Sequence, residues 1–123
     1  MNYYNGNHDT MDHYASRRVP LQLNALIYKH GTPVATGRII NGSRHGLYLE
    51  TEYQDVRELQ RLELEVLLAG RIKGEQRCRV GALVVKKTLM GKGLEMELLE
   101  EPGNQLLHDL IQKEQGIAKP IAS

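Results

Sequence analysis

Apolar and polar residues alternate along six stretches of this chain, a period typical of β-strands with one buried face. In the first stretch, Leu21, Leu23 and Ala25 alternate with Gln22 and Asn24. The other five stretches are residues 34–40 (VATGRII), 46–52 (GLYLETE), 62–70 (LELEVLLAG), 75–89 (EQRCRVGALVVKKTL) and 94–100 (LEMELLE). Because the strands follow one another with short connections, the pattern predicts an antiparallel barrel or sandwich.

Turn-forming residues separate these strands. Residues 31–33, Gly-Thr-Pro, predict a turn after the first strand. Asn41-Gly42 is the strongest short-range hairpin signal and predicts the turn between the second and third strands. The charged stretch 53–61 predicts either a loop or a helical turn.

The spacing of apolar residues becomes helical near the end of the chain, across residues 106–111 (LLHDLI). This spacing predicts one amphipathic helix of about three turns that lies across an opening of the barrel. Asn104 is its predicted N-cap, and Gly116 is its predicted C-terminal stop.

Both ends of the chain lack apolar periodicity. Residues 1–15 are polar and rich in Asn, Asp, Gly and His, which predicts a flexible arm. We expect the folded domain to span residues 16–116 and residues 117–123 to form a loose tail. A chain of 123 residues suits one domain with one modest core.

The composition argues against several classes of function. The formal net charge is +1, from 16 basic and 15 acidic side chains, so no global excess is present to hold a nucleic acid polymer by its phosphates. Aromatic residues make up 5% of the chain, too few for a protein that stacks many bases. No stretch approaches the roughly 20 apolar residues that span a bilayer. Without a signal-type leader either, we expect a cytoplasmic protein with no membrane insertion.

The residues show no arrangement typical of catalysis or metal binding. No two histidines are spaced to bind a metal from one element. The five histidines are His8, His13, His30, His45 and His108. Ser43 lies near His45, but a nucleophile and its base also need an orienting group and an oxyanion site. Glu63 and Glu65 alternate with apolar residues and predict a solvated strand face, and Cys78 predicts a small buried thiol. We expect neither an enzyme nor a metal site.

Two groups of polar residues form a candidate site for a phosphate ligand. Arg17 and Arg18 lie where the arm meets the first strand, a position from which both guanidiniums can reach a phosphate. In residues 41–46 (NGSRHG), two glycines let the backbone pass close to a ligand, and Asn and Ser add short donors. Guanidiniums also bind the acceptor edge of guanine, so these groups fit a compact guanine-bearing phosphate better than a polymer. Taken separately, the same features are those of a solvated arginine pair and a simple hairpin turn.

The order of these groups, RRVPLQL followed by GRIINGSRHGLYLE, resembles the PilZ domain family. The family pattern is R-x-x-x-R before the first strand and D/N-x-S-x-x-G on the second and third strands. Asn41, Ser43 and Gly46 match the second motif, and Arg18 looks like the second arginine of the first. The late stretch CRVGALVV…GKGLEMEL also resembles the closing strands of the family, so the resemblance covers about residues 14–115.

The resemblance implies a mostly β protein, a six-stranded antiparallel β-barrel with a C-terminal α-helix. It also implies a bacterial receptor for the second messenger cyclic di-GMP, in which Arg18, Asn41, Ser43 and Gly46 bind the ligand. In this hypothesis the ligand orders the arm, and the signal passes to a protein effector in trans. Motility, adhesion or polysaccharide machinery are the usual targets that the resemblance implies.

The first motif is only partly met, which leaves the ligand-binding residues at the arm open. Tyr14 stands four residues before Arg18, where the family has its first arginine, and Arg17 is extra and adjacent. Either Arg17 bends back to take that role, or Tyr14 stacks on a base, or binding is weak or lost. Loss of one bidentate arginine contact costs about 1–3 kcal/mol.

Two other functions stay open on the sequence. Tyr14 favours a PilZ-like adaptor that binds no nucleotide and acts only through protein contacts, whereas the complete Asn41–Gly46 motif disfavours it. The near-neutral charge and scarce aromatics disfavour an oligonucleotide-binding barrel. The residues do not determine ligand affinity and stoichiometry, the partner or the oligomeric state.

Overall fold

Six β-strands form where the sequence alternates, and they close into an antiparallel barrel. In the computed structural model, which describes residues 17–88 and 91–118, they are β1 (Val19–Lys29), β2 (Thr32–Gly42), β3 (Gly46–Glu50), β4 (Arg61–Ile72), β5 (Glu75–Lys87) and β6 (Gly93–Leu98). Around the barrel the order is β1-β2-β3-β6-β5-β4, with every neighbouring pair antiparallel. The barrel is as predicted, whereas the predicted arm, residues 1–15, lies outside the described residues.

The barrel interior is filled by the residues that alternation assigns to the buried face. In β4, Leu62, Leu64, Val66 and Leu68 are all buried, as predicted. The same alternation appears in β1 and β6, where every second residue is buried along most of the strand. A strand with one face against the core has this period because successive side chains point to opposite faces.

The outward acids of β4 pair with arginines on the neighbouring strand β5. Arg79 Nη1 donates to Glu63 Oε1 at 3.1 Å, and Arg77 Nη1 donates to Glu65 Oε2 at 3.0 Å. Tyr28 donates its hydroxyl to Glu65 Oε1 at 3.1 Å. The hydrogen bond from Arg77, followed by that from Tyr28, holds the pKa of Glu65 below its ordinary value. Glu63 and Glu65 thus stabilise the outer face of the barrel by ion pairing.

A C-terminal helix follows the barrel, as predicted. One turn of 3-10 helix, Pro102–Asn104, leads into helix α1, Gln105–Ala118, which contacts β1 and β5. Leu107, Leu110 and Ile111 are buried, so the apolar stripe faces the barrel. No helix within residues 17–88 and 91–118 combines the length and the apolar character that crossing a bilayer requires.

The residues expected to begin and end the helix have other roles. Asn104 is fully buried, and its amide bonds to the backbone of Gly81 in both directions, each at 2.9 Å. Asn104 Nδ2 also donates to Leu99 O at 2.7 Å, so both amide donors hold the barrel wall. Gly116 lies inside α1, because a glycine costs a helix only about 1 kcal/mol and does not by itself end it. The predicted N-cap role of Asn104 and the predicted stop at Gly116 are therefore wrong.

Two turns lie at other residues than predicted. His30 and Gly31, with φ of 52° and 78°, form the β1–β2 turn, and residues 32 and 33 already belong to β2. Positive φ at both central residues is typical of a type I′ turn, whose twist matches that of a hairpin. Between β2 and β3 the turn is residues 43–45, and Asn41-Gly42 ends β2 instead of forming the turn.

The connection between β3 and β4, residues 51–60, is a loop, one of the two forms predicted for this charged stretch. Thr51 is buried and donates its hydroxyl to Thr36 O at 2.8 Å. Val56 is also buried and belongs to the core cluster. The loop therefore lies against the barrel at these two points.

Candidate ligand-binding site

The polar stretch expected to contact a ligand forms the tight turn between β2 and β3. Ser43 N–H donates to Gly46 O at 2.8 Å, which closes the turn. Ser43 Oγ accepts from the N–H groups of Gly46 at 3.3 Å and His45 at 3.4 Å. Ser43 is only 3% exposed, so its oxygen holds the turn. These bonds do not use its O–H hydrogen, which remains a possible donor to a ligand.

Gly42 and Gly46 flank the turn because neighbouring side chains occupy the space of a Cβ. A Cβ on Gly42 would lie 2.7 Å from Leu47 Cδ2 and 3.0 Å from Leu21 Cδ1. A Cβ on Gly46 would lie 2.7 Å from Arg18 Nη2. Neither glycine has a positive φ, so close packing rather than a special backbone conformation requires them.

Arg18 crosses three strands at this end of the barrel. It precedes β1, and its Nη1 donates to Asn41 Oδ1 on β2 at 2.9 Å. The guanidinium lies over Gly46, the first residue of β3, and Nη2 donates to Glu95 Oε1 on β6 at 2.9 Å. The strand order β1-β2-β3-β6 makes this path possible, and the missing side chain at Gly46 leaves the room for it.

Arg18, Ser43 and Gly46 line one open surface pocket of about 810 Å³. The remaining lining residues are His45, Val85, Lys86, Glu95, Met96 and Glu97. The volume lies in the range of about 300–1,000 Å³ typical of small-molecule sites. Asn41 contacts this group through Arg18, so the structure brings four of the six candidate residues together.

The other two candidate residues, Arg17 and Tyr14, do not join this pocket in the described part of the chain. Arg17 Nη2 donates to Gln115 O at 2.9 Å, and Gln115 Nε2 donates back to Arg17 O at 2.9 Å. The first arginine of the pair is therefore held on α1, while the second lies in the pocket. Tyr14 lies outside the described residues.

Among the pocket residues that sequence reasoning missed, Glu95 is the one that bonds directly to Arg18. Alternation places it on the outer face of β6, but its contact with Arg18 joins residues 77 positions apart. Only the strand order, which puts β6 beside β3, brings the carboxylate to the arginine. No local sequence signal could have indicated this pair.

The β2–β3 turn is also fastened to α1 and to the segment before it. Arg44 Nε donates to Glu100 Oε2 at 3.2 Å, which holds the pKa of Glu100 below its ordinary value. His108 Nε2 lies 3.2 Å from Arg44 O, and because a carbonyl only accepts, Nε2 carries the proton in this contact. The turn is thus anchored at its base by the barrel and at its tip by α1.

A larger concavity of about 940 Å³ lies elsewhere on the barrel, lined mainly by β1, β2 and the β3–β4 loop. It contains none of the candidate residues, and its Arg38 pairs with Glu50 at 3.5 Å. We place the candidate site at the Arg18 pocket because the arginine, the hydroxyl and the close-packed glycine converge there. Among residues 17–88 and 91–118, no cluster of His, Cys, Asp and Glu could hold a metal ion.

Several solved structures share the fold of this chain, among them two that represent PilZ-like proteins of different length. The PilZ domain of CeSA from a cellulose-synthesizing bacterium matches with a TM-score of 0.57 and 15% identity, covering 83% of this chain and 98% of that chain. The Bacillus subtilis inhibitor of motility, MotI/DgrA, matches with a TM-score of 0.62 and 14% identity, covering 85% of this chain. This chain spans about half of that protein, 52% of its length. No protein-family model and no curated protein matches the chain.

The architecture and the comparisons together define the class of this protein. It is a small antiparallel barrel with a C-terminal helix and a polar pocket at one end of the barrel. Its fold is PilZ-like, and at 14–15% identity the likeness to the two known structures is one of fold.

Proposed function

We propose that this chain is a bacterial cyclic di-GMP receptor of the PilZ type. The observation that carries the proposal is the convergence of Arg18, Ser43 and Gly46 in one pocket, with Asn41 bonded to the arginine. These residues are the ones that match the family's ligand motifs in sequence. The PilZ-like fold of the chain supports the assignment.

Each of the four residues has a chemical role in the proposal. The Arg18 guanidinium offers a forked contact to a phosphate or to the acceptor edge of guanine. Asn41 orients it through Oδ1, which leaves the Nδ2 hydrogens for the ligand. Ser43 supplies its unused O–H hydrogen, and Gly46 leaves room for the arginine side chain against β3.

The arm, residues 1–15, completes the site in this proposal by closing over the bound ligand, with Tyr14 stacked on a base. The binding energy then covers the cost of ordering it. Trypsin reports this step, because it cleaves after Arg17 and Arg18. Cyclic di-GMP should slow cleavage there, while cleavage after Arg57 in the exposed β3–β4 loop serves as an internal control. Equal slowing at all three sites would indicate general stabilisation instead of closure.

The signal then passes to a protein effector in trans, in motility, adhesion or polysaccharide machinery. A second candidate function is a PilZ-like adaptor that binds no nucleotide. It is favoured by the positions of the two arginines, since Arg17 is bonded to α1 and Arg18 is already paired with Glu95. One paired guanidinium is a weaker anion site than two free ones.

Calorimetric titration with cyclic di-GMP separates the two functions. We expect heat from the parent protein and a loss of roughly ten- to hundredfold in affinity for Arg18→Ala. Arg57→Ala is the matched control, because it removes an exposed arginine that lies outside the pocket. A parent that gives no heat at high micromolar ligand would falsify the receptor and favour the adaptor.

Ser43→Ala needs a further measurement, because Ser43 Oγ also holds the turn. Thermal unfolding of this variant measures the structural part of the effect. We expect its affinity to fall by more than the change in stability explains, because the hydroxyl also donates to the ligand. If stability alone falls, Ser43 is a turn residue and not a ligand contact.

A further inference from the structure

We infer that Glu95 is an internal counter-ion that competes with the ligand's phosphate for Arg18 and thereby sets the affinity of the pocket. This inference rests on the proposed function, because the competing anion is a phosphate of the cyclic dinucleotide. It identifies Glu95 as a residue that weakens binding, and its role is to position and neutralise Arg18 while the pocket is empty.

The contact between the two side chains is direct and central to the pocket. Glu95 Oε1 lies 2.9 Å from Arg18 Nη2, and both residues line the same cavity. The side chain of Arg18 is 37% exposed and that of Glu95 is 29% exposed, so a ligand in solution can reach the pair. A phosphate that bonds to Nη2 must take the place of a carboxylate that already satisfies it.

Asn41 and Gly46 make such an exchange of partners simple. Asn41 Oδ1 holds the other terminal nitrogen, Nη1, at 2.9 Å. Gly46 has no side chain and so leaves room for the guanidinium over β3. Release of Glu95 therefore leaves Arg18 in place, with Nη2 open towards the pocket.

The charges around the pocket support the same conclusion. The cationic side chains that line it are Arg18 and Lys86, and the anionic ones are Glu95 and Glu97. Two carboxylates offset two cations, so the empty pocket lacks the positive charge that a phosphate site normally offers. Removal of one carboxylate should therefore favour an anionic ligand.

Glu97 provides a matched control for Glu95. It lies two residues further along β6 and lines the same pocket, but it forms no ion pair with any described residue. Glu97→Gln removes the same charge without removing the contact to Arg18. The difference between the two variants therefore isolates the direct competition for the guanidinium.

The binding test is calorimetric titration with cyclic di-GMP. We expect Glu95→Gln to bind about two- to fivefold more tightly than the parent, and Glu97→Gln to show a clearly smaller gain. In an Arg18→Ala background, Glu95→Gln should give no gain, because Glu95 acts through Arg18. A parent that binds while Glu95→Gln binds equally or more weakly overturns the inference, and so does an equal gain with and without Arg18.

A second measurement, on the ligand-free protein, tests the contact between Glu95 and Arg18 independently of cyclic di-GMP binding. Failure of the further inference can then be told apart from failure of the proposed function. Phenylglyoxal modifies accessible arginines, and mass spectrometry can follow its reaction at Arg18. We expect faster modification of Arg18 in Glu95→Gln than in the parent and in Glu97→Gln, with Arg57 unchanged. If neither parent nor Glu95→Gln binds cyclic di-GMP but Arg18 reacts faster, the receptor proposal fails while the counter-ion contact stands. An unchanged rate at Arg18 overturns the contact itself.

Discussion

The guanidinium of Arg18 lies against Gly46 so closely that a Cβ there would be 2.7 Å from Nη2. Arg18 Nη2 is the far end of a flexible side chain, so an added methyl group would displace the arginine and not the barrel backbone. Gly46 is therefore the residue that allows Arg18 to cross β3 and reach Asn41 and Glu95. A side chain added at Gly46 should therefore change the ligand site without changing the fold.

Gly46→Ala should impair the site while leaving the fold nearly intact. The guanidinium must leave its position over β3, so we expect the affinity for cyclic di-GMP to fall about tenfold, the value of one good arginine contact. The unfolding free energy should change by less than about 1 kcal/mol, because only an arginine tip has to move. Calorimetry and urea denaturation measure the two effects.

Gly42→Ala is the matched control for this prediction. Its Cβ would meet the side chains of Leu47 and Leu21, both of which are buried in the core. Overpacking of this kind costs about 1–3 kcal/mol of stability. If Gly46→Ala destabilises the protein as much as Gly42→Ala does, Gly46 has a structural role beyond the space that it leaves for Arg18.

The sequence predicted those parts of the fold that depend on short-range periodicity. The four apolar residues of β4 are buried as expected, and these are Leu62, Leu64, Val66 and Leu68. Residues two positions apart in a strand lie on the same face, so alternation in the sequence identifies the apolar face. The helical spacing of residues 106–111 likewise predicted the buried face of α1. Barrel closure itself followed from the family resemblance, since alternation alone allowed a sandwich as well.

Contacts between distant residues could not be predicted in this way. The position of Asn104 before α1 predicts a helix cap, but its side chain bonds to Gly81 in β5 and to Leu99 just after β6. Arg17 and Arg18 are adjacent, yet one bonds to Gln115 and the other to Glu95, because strand order and the position of α1 decide their partners. Motif matching indicates Arg18, Ser43 and Gly46, and only the three-dimensional arrangement shows that Arg18 is already paired with Glu95.

Asn104→Ala should strongly destabilise the protein. The substitution leaves the buried Gly81 N–H and Leu99 O without their partner, while Gly81 O keeps a bond from Leu99 N–H at 3.3 Å. One unsatisfied buried N–H costs about 1–3 kcal/mol, and the loss of the bond to the half-buried Leu99 O adds to it, a change that urea denaturation can resolve. Gln105→Ala is the control, since the side chain of Gln105 is exposed and bonds to Asp109 within α1. A loss of similar size in both variants would mean that the helix, and not its attachment, is the sensitive feature.

The pair formed by Arg61 and Glu101 should make stability depend on pH. Hydrogen bonds from Arg61 hold the pKa of Glu101 below its ordinary value of 4.5. The folded protein therefore favours the carboxylate, and the stabilisation is present above the unfolded-state pKa and is lost as the pH falls through the folded-state pKa. We expect Glu101→Gln to lower the Tm at pH 7 and this difference to shrink below about pH 4.5.

Glu58→Gln is the control for this pH dependence. Glu58 is exposed in the β3–β4 loop and forms no ion pair within the described part of the chain. Its substitution should shift the Tm little and by a similar amount at each pH. A Glu101→Gln difference that stays constant from pH 7 to pH 3 would show that the pair stabilises the fold by packing alone.

Cys78 should resist thiol reagents until the protein unfolds. Its side chain is buried in β5, and burial raises the pKa of the thiol to about 11. At pH 8 only about one thiol in a thousand is then the reactive thiolate, and the barrel wall also blocks access. Ellman's reagent should therefore react slowly with the native protein and rapidly in urea, whereas an exposed cysteine introduced as Glu58→Cys should react at once. Rapid labelling of native Cys78 would mean that β5 opens locally, because neither its pKa nor its burial in the closed barrel permits that rate.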